Sequence, residues 1–303
     1  MTTAERIVKE LRHRLAAAGL TGSFLVRDLA TGAEIGIEPD LVFPIASLVK
    51  IPLAAAVLAR VEDGRIDGAL RLDVEPGRVT TPGPMGLTKF RHPVRIAVDD
   101  LLYLSTAVSD NTAADALFGL VSPAEVNDEL RAAGITGIAV RHLLRDLVET
   151  PAERFEPADV HLAHSLAIGS QTSGRGHVVP QLDVSRANTG SARAFVDLLA
   201  ALWVPSRIAA GVAERTRSLM GDNVVRHRLA PDFSADAAKW SSKTGTLLNL
   251  RHEVGVVEHE DGGKFAVAAL TESAVPAAIQ PAAEAMMGDV ARTLHDHLRA
   301  TAT

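Results

Sequence analysis

Ser47 and Lys50 stand three residues apart in the apolar run FPIASLVKIPLAAAVLARV, residues 43–61. On a helix that spacing puts both side chains on one face. Serine is a weak nucleophile until a base takes its proton. A lysine does this only when neutral, so its pKa must fall from about 10.4. Burial and a second nearby cation both push it that way. Two further motifs follow in order, Ser-Asp-Asn at 109–111 and Lys-Thr-Gly at 243–245. The chain's lysines are Lys9, Lys50, Lys89, Lys239, Lys243 and Lys264, and two of these few fall in the motifs. Alone, each motif has a bland reading: a helix cap with a solvated lysine, an Asx turn, a strand end. Together, in this order, they specify a nucleophile, its base and a second cation.

The elements that must position these residues are read from periodicity. Ile7, Leu11 and Leu15 mark an amphipathic helix over 3–18, with Thr2 and Glu5 at capping-box spacing. The stretch GSFLVRDLATGAEIGIE reads as two strands joined by a hairpin. The helix carrying Ser47 and Lys50 runs to Gly64, with Pro52 predicted to kink it. Residues 65–97 read as loop. Asp99 is a plausible cap for the helix before Ser109, and SPAEVNDELRAAG is a capped helix ending at Gly134. Residues 140–190 give no clear pattern. Two more helices follow, then three strands with DGG as the tight turn between the last two, then a helix over about 276–299.

Strands near both ends of the chain must share one sheet, because a lone hairpin is marginal. The predicted fold class is therefore α+β: an antiparallel five-stranded sheet flanked by helices, plus an all-helical lobe. Residues 1–55 and 215–303 form the sheet lobe and 56–214 the inserted helical lobe, with the site at their junction.

Composition narrows the function. The chain has 303 residues, 47% of them hydrophobic, a net charge of −6 and no cysteine. A surplus of acid argues against nucleic acid, and the missing thiols exclude disulfides and thiolate metal sites. HEVGV at 252–256 departs from a metalloprotease pattern at its last position, and HLAH at 161–164 lacks a third ligand, so both read as structural. No cofactor, metal, nucleic acid or membrane partner is expected. The N-terminus has no apolar signal region and no run is long enough to span a bilayer, so the expected location is cytoplasmic. Oligomeric state is left open.

In these motifs the chain resembles the serine β-lactamase and penicillin-binding-protein superfamily, and most closely the class A β-lactamases and class A-like serine hydrolases. DLATGAEIGIEPDLVFPIASLVK, LLYLSTAVSDNTAADAL and SSKTGT carry the resemblance, which covers almost the whole chain. It implies an acyl-enzyme at Ser47, with Lys50 as base and Ser109 passing a proton to the leaving nitrogen. It also implies that the N–H groups of Ser47 and Thr246 bind the oxyanion, and that Asn111 holds a substrate amide. Lys243, with Thr244 or Thr246 and assisted by Arg251, would bind a substrate carboxylate. The substrate is thus a small amide or ester, with β-lactams leading.

One part of the family pattern is missing. Class A enzymes carry a glutamate, in a pattern like E-x-x-L-N, that activates water for deacylation, and no such pattern stands between the second and third motifs. Glu149 and Glu156 in DLVETPAERFEP are the candidates, ahead of Glu153, with Asp146 also in reach. Alternatives therefore stay open: a cytoplasmic amidase, esterase or acyltransferase of a biosynthetic pathway, a D-alanyl peptidase, or a non-catalytic β-lactam-binding sensor. Ser47→Ala is expected to abolish covalent labelling by β-lactams and activated esters, read by intact mass. Any stability loss should stay within the ~0.5–2 kcal/mol of a helix cap. Labelling that survives would remove Ser47 from the nucleophile's role.

Overall fold

The computed structural model describes residues 2–77, 85–148, 150, 155–169, 176–235, 237–277 and 279–301. The five-stranded antiparallel sheet is built from β1 (Leu20–Asp28), β2 (Glu34–Ile37), β7 (Ala238–Leu247), β8 (Leu250–His259) and β9 (Lys264–Ser273), in the order β2-β1-β9-β8-β7. Strands from the two ends of the chain do meet: Phe24 of β1 pairs with Ala269 of β9. Two small antiparallel pairs lie outside this sheet. They are β3 (Val42–Pro44) with β6 (Thr189–Ser191), and β4 (Arg71–Val74) with β5 (Val94–Ala97). The second pair corrects the expectation of bare loop over 65–97. Its four-residue strands are too short to show a period.

Helix α1 (Thr3–Ala17) and the last helix, α11 (Pro281–Thr301), pack on one face of the sheet. The predicted capping box at Thr2 and Glu5 is formed. Between the end strands the chain runs through α2 (Lys50–Glu62), α3 (Val98–Thr106), α4 (Asn111–Phe118), α5 (Pro123–Ala132), α6 (Arg145–Val148), α7 (Val160–Gly169), α8 (Ala192–Trp203), α9 (Ala210–Gly221) and α10 (Ala230–Phe233). The two-residue period of β1 sends Phe24 and Val26 toward α1 and α11, and Leu25 into the core on the other face. Both faces are covered, so the strands are nearly continuous apolar runs.

Two local readings need correction. Ser47 sits in a 3-10 turn, Ala46–Val49, and the α-helix begins only at Lys50. Pro52 therefore falls in the first helical turn, where a missing N–H breaks no ladder bond, and α2 continues as helix to Glu62. Asp99 is not a cap. The capping position of α3 is Ala97, and Asp99 lies in the first turn, where its charge suits the dipole.

What places the site is the approach of β7, a sheet edge, to the Ser47 turn. A Cβ on Gly245 would lie 2.9 Å from the carbonyl oxygen of Ile45 and 3.1 Å from Leu48 Cγ. Only glycine lets the strand come this close. Gly245→Ala is expected to cost about 1–3 kcal/mol, seen as a lower urea midpoint. An unchanged midpoint would show that β7 has room to move.

Candidate active site

Three distant segments converge on one hydroxyl. Lys50 Nζ lies 3.3 Å from Ser47 Oγ and 3.3 Å from Ser109 Oγ. It also donates to the Ser109 carbonyl at 2.7 Å and to Asn111 Oδ1 at 2.6 Å. Lys243 Nζ reaches Ser109 Oγ from the other side at 2.8 Å and donates to the Thr244 carbonyl at 2.9 Å. Both lysines are fully buried, while Ser47 is partly exposed.

This burial sets the electrostatics. Desolvation pushes Lys50 down to about 7, against the opposing pull of Asp110 and Asp115. Burial likewise holds Lys243 well below the usual lysine range, and the neighbouring Lys50 and Arg228 add to the effect. The carboxylates close enough to pull on Lys50 are engaged with backbone. Asp110 caps α4 through Thr112 N and Ala113 N, and accepts from Leu87 N at 2.5 Å and Thr88 Oγ1 at 2.9 Å. Asp115 accepts from Leu144 N and Arg145 N at 2.6 and 2.8 Å.

Backbone strain marks the same spot. Ala46, just before the nucleophile, has φ 47°, and Ser109 has φ 66°. Such angles in residues with a Cβ persist only where surrounding contacts impose them. Here the bonds of Asp110 and of the Ser109 carbonyl do so. The arrangement can move a proton from one hydroxyl to an amine and deliver another from the second hydroxyl.

Comparison with known proteins fits this geometry. The model of the beta-lactamase enzyme family matches residues 5–298. The chain belongs to this family. It is 63% identical, over 99% of both chains, to the beta-lactamase regulatory protein BlaB of Streptomyces cacaoi. A weaker match, 35% identical over 34% of this chain and 35% of the other, is to the extended-spectrum beta-lactamase PER-1 of Pseudomonas aeruginosa. Among solved structures, PBP-A superposes with a TM-score of 0.75 at 18% identity, covering 97% of this chain and 96% of that one. A beta-lactamase from Sphaerobacter thermophilus superposes with a TM-score of 0.75 at 22% identity, covering 98% and 97%. Both likenesses show the fold of the beta-lactamase family.

Within this family fold, the remaining residues singled out from sequence divide. Asn111 points its carboxamide oxygen at Lys50. Thr244 is buried on β7, and Thr246 is exposed near its end. Arg251 lies on β8 opposite Thr246. Its guanidinium donates to the carbonyls of Leu248 at 2.6 Å and Leu250 at 2.8 Å, bracing a hairpin in which Leu248 has φ 48°. Glu156 is exposed, and Asp146 accepts from the nearby Leu143 N at 3.0 Å. Glu149 and Glu153 lie outside the described residues. His252 and Glu253 are structural. The ring binds the Pro44 carbonyl, and the carboxylate accepts from Leu229 N and Trp240 Nε1. His161 is exposed with its ring on the Ala158 carbonyl, and among the described residues no group of three potential ligands could hold a metal.

Sequence reading missed Arg228. This buried guanidinium donates to Thr246 Oγ1 at 2.6 Å and to the carbonyls of Gly245 and His252 at 2.9 and 2.8 Å, with Glu284 at 3.3 Å behind it. The segment VVRHRLAP has no period that marks one arginine as buried, and its carboxylate partner lies 56 residues further on.

The pH profile tests the base. A lysine base acts in its neutral form, so with Lys50 as base acylation of Ser47 should rise about tenfold per pH unit below 7 and level off above about 7. Lys50→Ala should slow acylation by about 10²–10⁴-fold. Lys50→Arg should fare little better, since arginine stays charged. A stopped-flow pH series with a chromogenic β-lactam reads all three. A flat profile in the wild type would show that Lys50 takes no proton.

Proposed function

We propose that this chain forms a covalent acyl-enzyme at Ser47 with β-lactams or closely related amides, and that the adduct is long-lived, so that the protein acts as a β-lactam-responsive regulatory sensor. The observation that carries the chemistry is the pair of buried lysines on one hydroxyl, with Ser47 Oγ 3.3 Å from the first. The regulatory side rests on the relative named a beta-lactamase regulatory protein, which is 63% identical over nearly the full length.

The steps follow from the contacts. A neutral amine has two hydrogens and one lone pair. The hydrogens of Lys50 go to its two short acceptors, the Ser109 carbonyl and Asn111 Oδ1. The lone pair is left to the hydroxyls and takes the Ser47 proton as Oγ attacks the amide carbon. The N–H groups of Ser47 and Thr246 stabilise the oxyanion. Breaking of the C–N bond requires a proton on the leaving nitrogen. Ser109 supplies it and recovers one from Lys50. The substrate carboxylate binds at the positive end of β7, with Lys243, Thr244 and Thr246, and with Arg228 holding Thr246 in place. Asn111 offers its amide N–H to the substrate. The site sits at the junction of a sheet lobe (1–55 and 215–303) and a helical lobe (56–214), in a cytoplasmic protein.

Acylation and deacylation make separate demands. Hydrolysis of the ester needs a base within about 2.6–3.2 Å of a water that faces the acyl carbon. Among the described residues, Glu156 is exposed, and Asp115 and Asp146 are bound to backbone. A slow final step makes the same site a detector. Mixing the protein with penicillin and following intact mass should show an adduct persisting from minutes to hours, lost in Ser47→Ala. A steady-state turnover of roughly 1–10³ s⁻¹ with no trapped adduct would overturn the sensor reading and leave a hydrolytic β-lactamase.

A further inference from the structure

We propose that a cavity against α2, lined by Pro52, Ala55 and Ala59 and not by Lys50, is a binding site for a neutral apolar molecule about two fused rings in size. The cavity holds about 350 Å³. A dry apolar cavity of about 150 Å³ binds benzene, and pockets for small ligands start near 300 Å³. Its floor is the α2 surface at Pro52, Ala55 and Ala59, and its opposite wall includes Leu130, Leu198 and Val212. The space exists because α2 presents alanine at 55 and 59, one turn apart, where a larger side chain would fill it.

The rim bears on the ligand's charge, because two of its carboxylates are ion-paired and its other charged groups lie at helix ends that suit their sign. Glu129 is paired with Arg60 at 3.2 Å, and Asp63 with Arg65 Nε at 2.7 Å. A Cβ on Gly211 would lie 2.7 Å from Glu62 Oε1, so that carboxylate rests on the first turn of α9, the end that favours an anion. Arg207 Nη1 lies 3.7 Å from the corresponding point on Gly134, just beyond the end of α5, where a cation is favoured. A charged ligand would lose water here, and a cation would meet carboxylates that are already engaged. A neutral apolar ligand loses nothing and covers the alanines. It would touch Pro52, two residues after Lys50, so it would sit on the same helix as the base.

The test uses the purified full chain and N-phenyl-1-naphthylamine, a neutral dye whose fluorescence rises in apolar surroundings. A saturable one-site rise is expected. Ala59→Leu fills the floor and Ala132→Phe, at an exposed position of the lining, obstructs the mouth. Each should weaken binding by at least about tenfold. The Ala132 variant leaves the core untouched, and it carries the test if Ala59→Leu fails to fold. Neutral 1-naphthol should displace the dye, while 1-naphthoate and 1-naphthylmethylammonium should need about tenfold more. The proposal is overturned by the absence of saturable binding, by unchanged affinity in the folded variants, or by a charged naphthalene competing as well as the neutral one. None of these readouts involves Ser47, so they are independent of the acyl-enzyme reading.

Discussion

The structure depends on keeping two amines out of water beside one hydroxyl. Lys50 and Lys243 both reach Ser109 Oγ, at 3.3 and 2.8 Å, and both are fully buried. Two protonated amines this close, without water, would repel strongly. The relief is proton loss, and this turns an ordinary lysine into a base near neutrality. The nearest carboxylates do not cancel the effect, because backbone N–H groups hold them: Asp110 at the start of α4 and Asp115 on the chain at 144–145. Had either carboxylate paired directly with Lys50, the lysine would stay charged and the serine would stay a hydroxyl.

Holding that arrangement requires contacts between parts of the chain far apart in sequence. Ser47 comes from the first 50 residues, Ser109 from the helical middle and Lys243 from a strand near the end. The sheet brings the outer two together, since the glycine at 245 lets β7 close on the Ser47 turn, and β8 and β9 link β7 to β1. Arg228 then ties β7 and β8 to the last helix: one guanidinium meets the Gly245 and His252 carbonyls, Thr246 and the Glu284 carboxylate. Glu284 lies in the first turn of α11, where its charge also suits the dipole. The C-terminal helix thus does more than cover the sheet, because it anchors the residue that holds the end of the Lys-Thr-Gly strand.

How much of this the sequence reveals depends on how local the cause is. The sheet and most helices follow from two- and 3.6-residue periods and from caps at Thr2 and Ser122, all confined to a few neighbouring residues. The three motifs are legible because each is a short string of neighbouring residues, although the first spans the 3-10 turn and the start of α2 and the second the entry to α4. The start of the Ser47 helix and the cap at Asp99 differ from the pattern for one reason: each depends on the residue at which a helix starts, which lies a few positions from where the periodicity puts it. The stretch after 140 resists because its ties are long-range. Asn188 accepts from Arg141 N and His142 N and donates to the His142 carbonyl, and Asp115 receives Leu144 N and Arg145 N. Such bonds leave no period, and neither does the burial of Arg228.

The same distinction bears on function. The residues proposed for acylation stand in the local motifs: Ser47 in a 3-10 turn, Lys50 at the start of α2, Ser109 between α3 and α4, and Lys243 on β7. Deacylation depends instead on where one carboxylate and one water stand relative to the ester. Evolution can therefore change the lifetime of the adduct without touching the machinery that makes it. A family built on one acylating site can then contain both hydrolases and proteins that hold the acyl group. The two differ in a barrier of only a few kcal/mol per few powers of ten in rate. Burial of the lysine pair is what both must keep, because an adduct that never forms can be neither hydrolysed nor sensed.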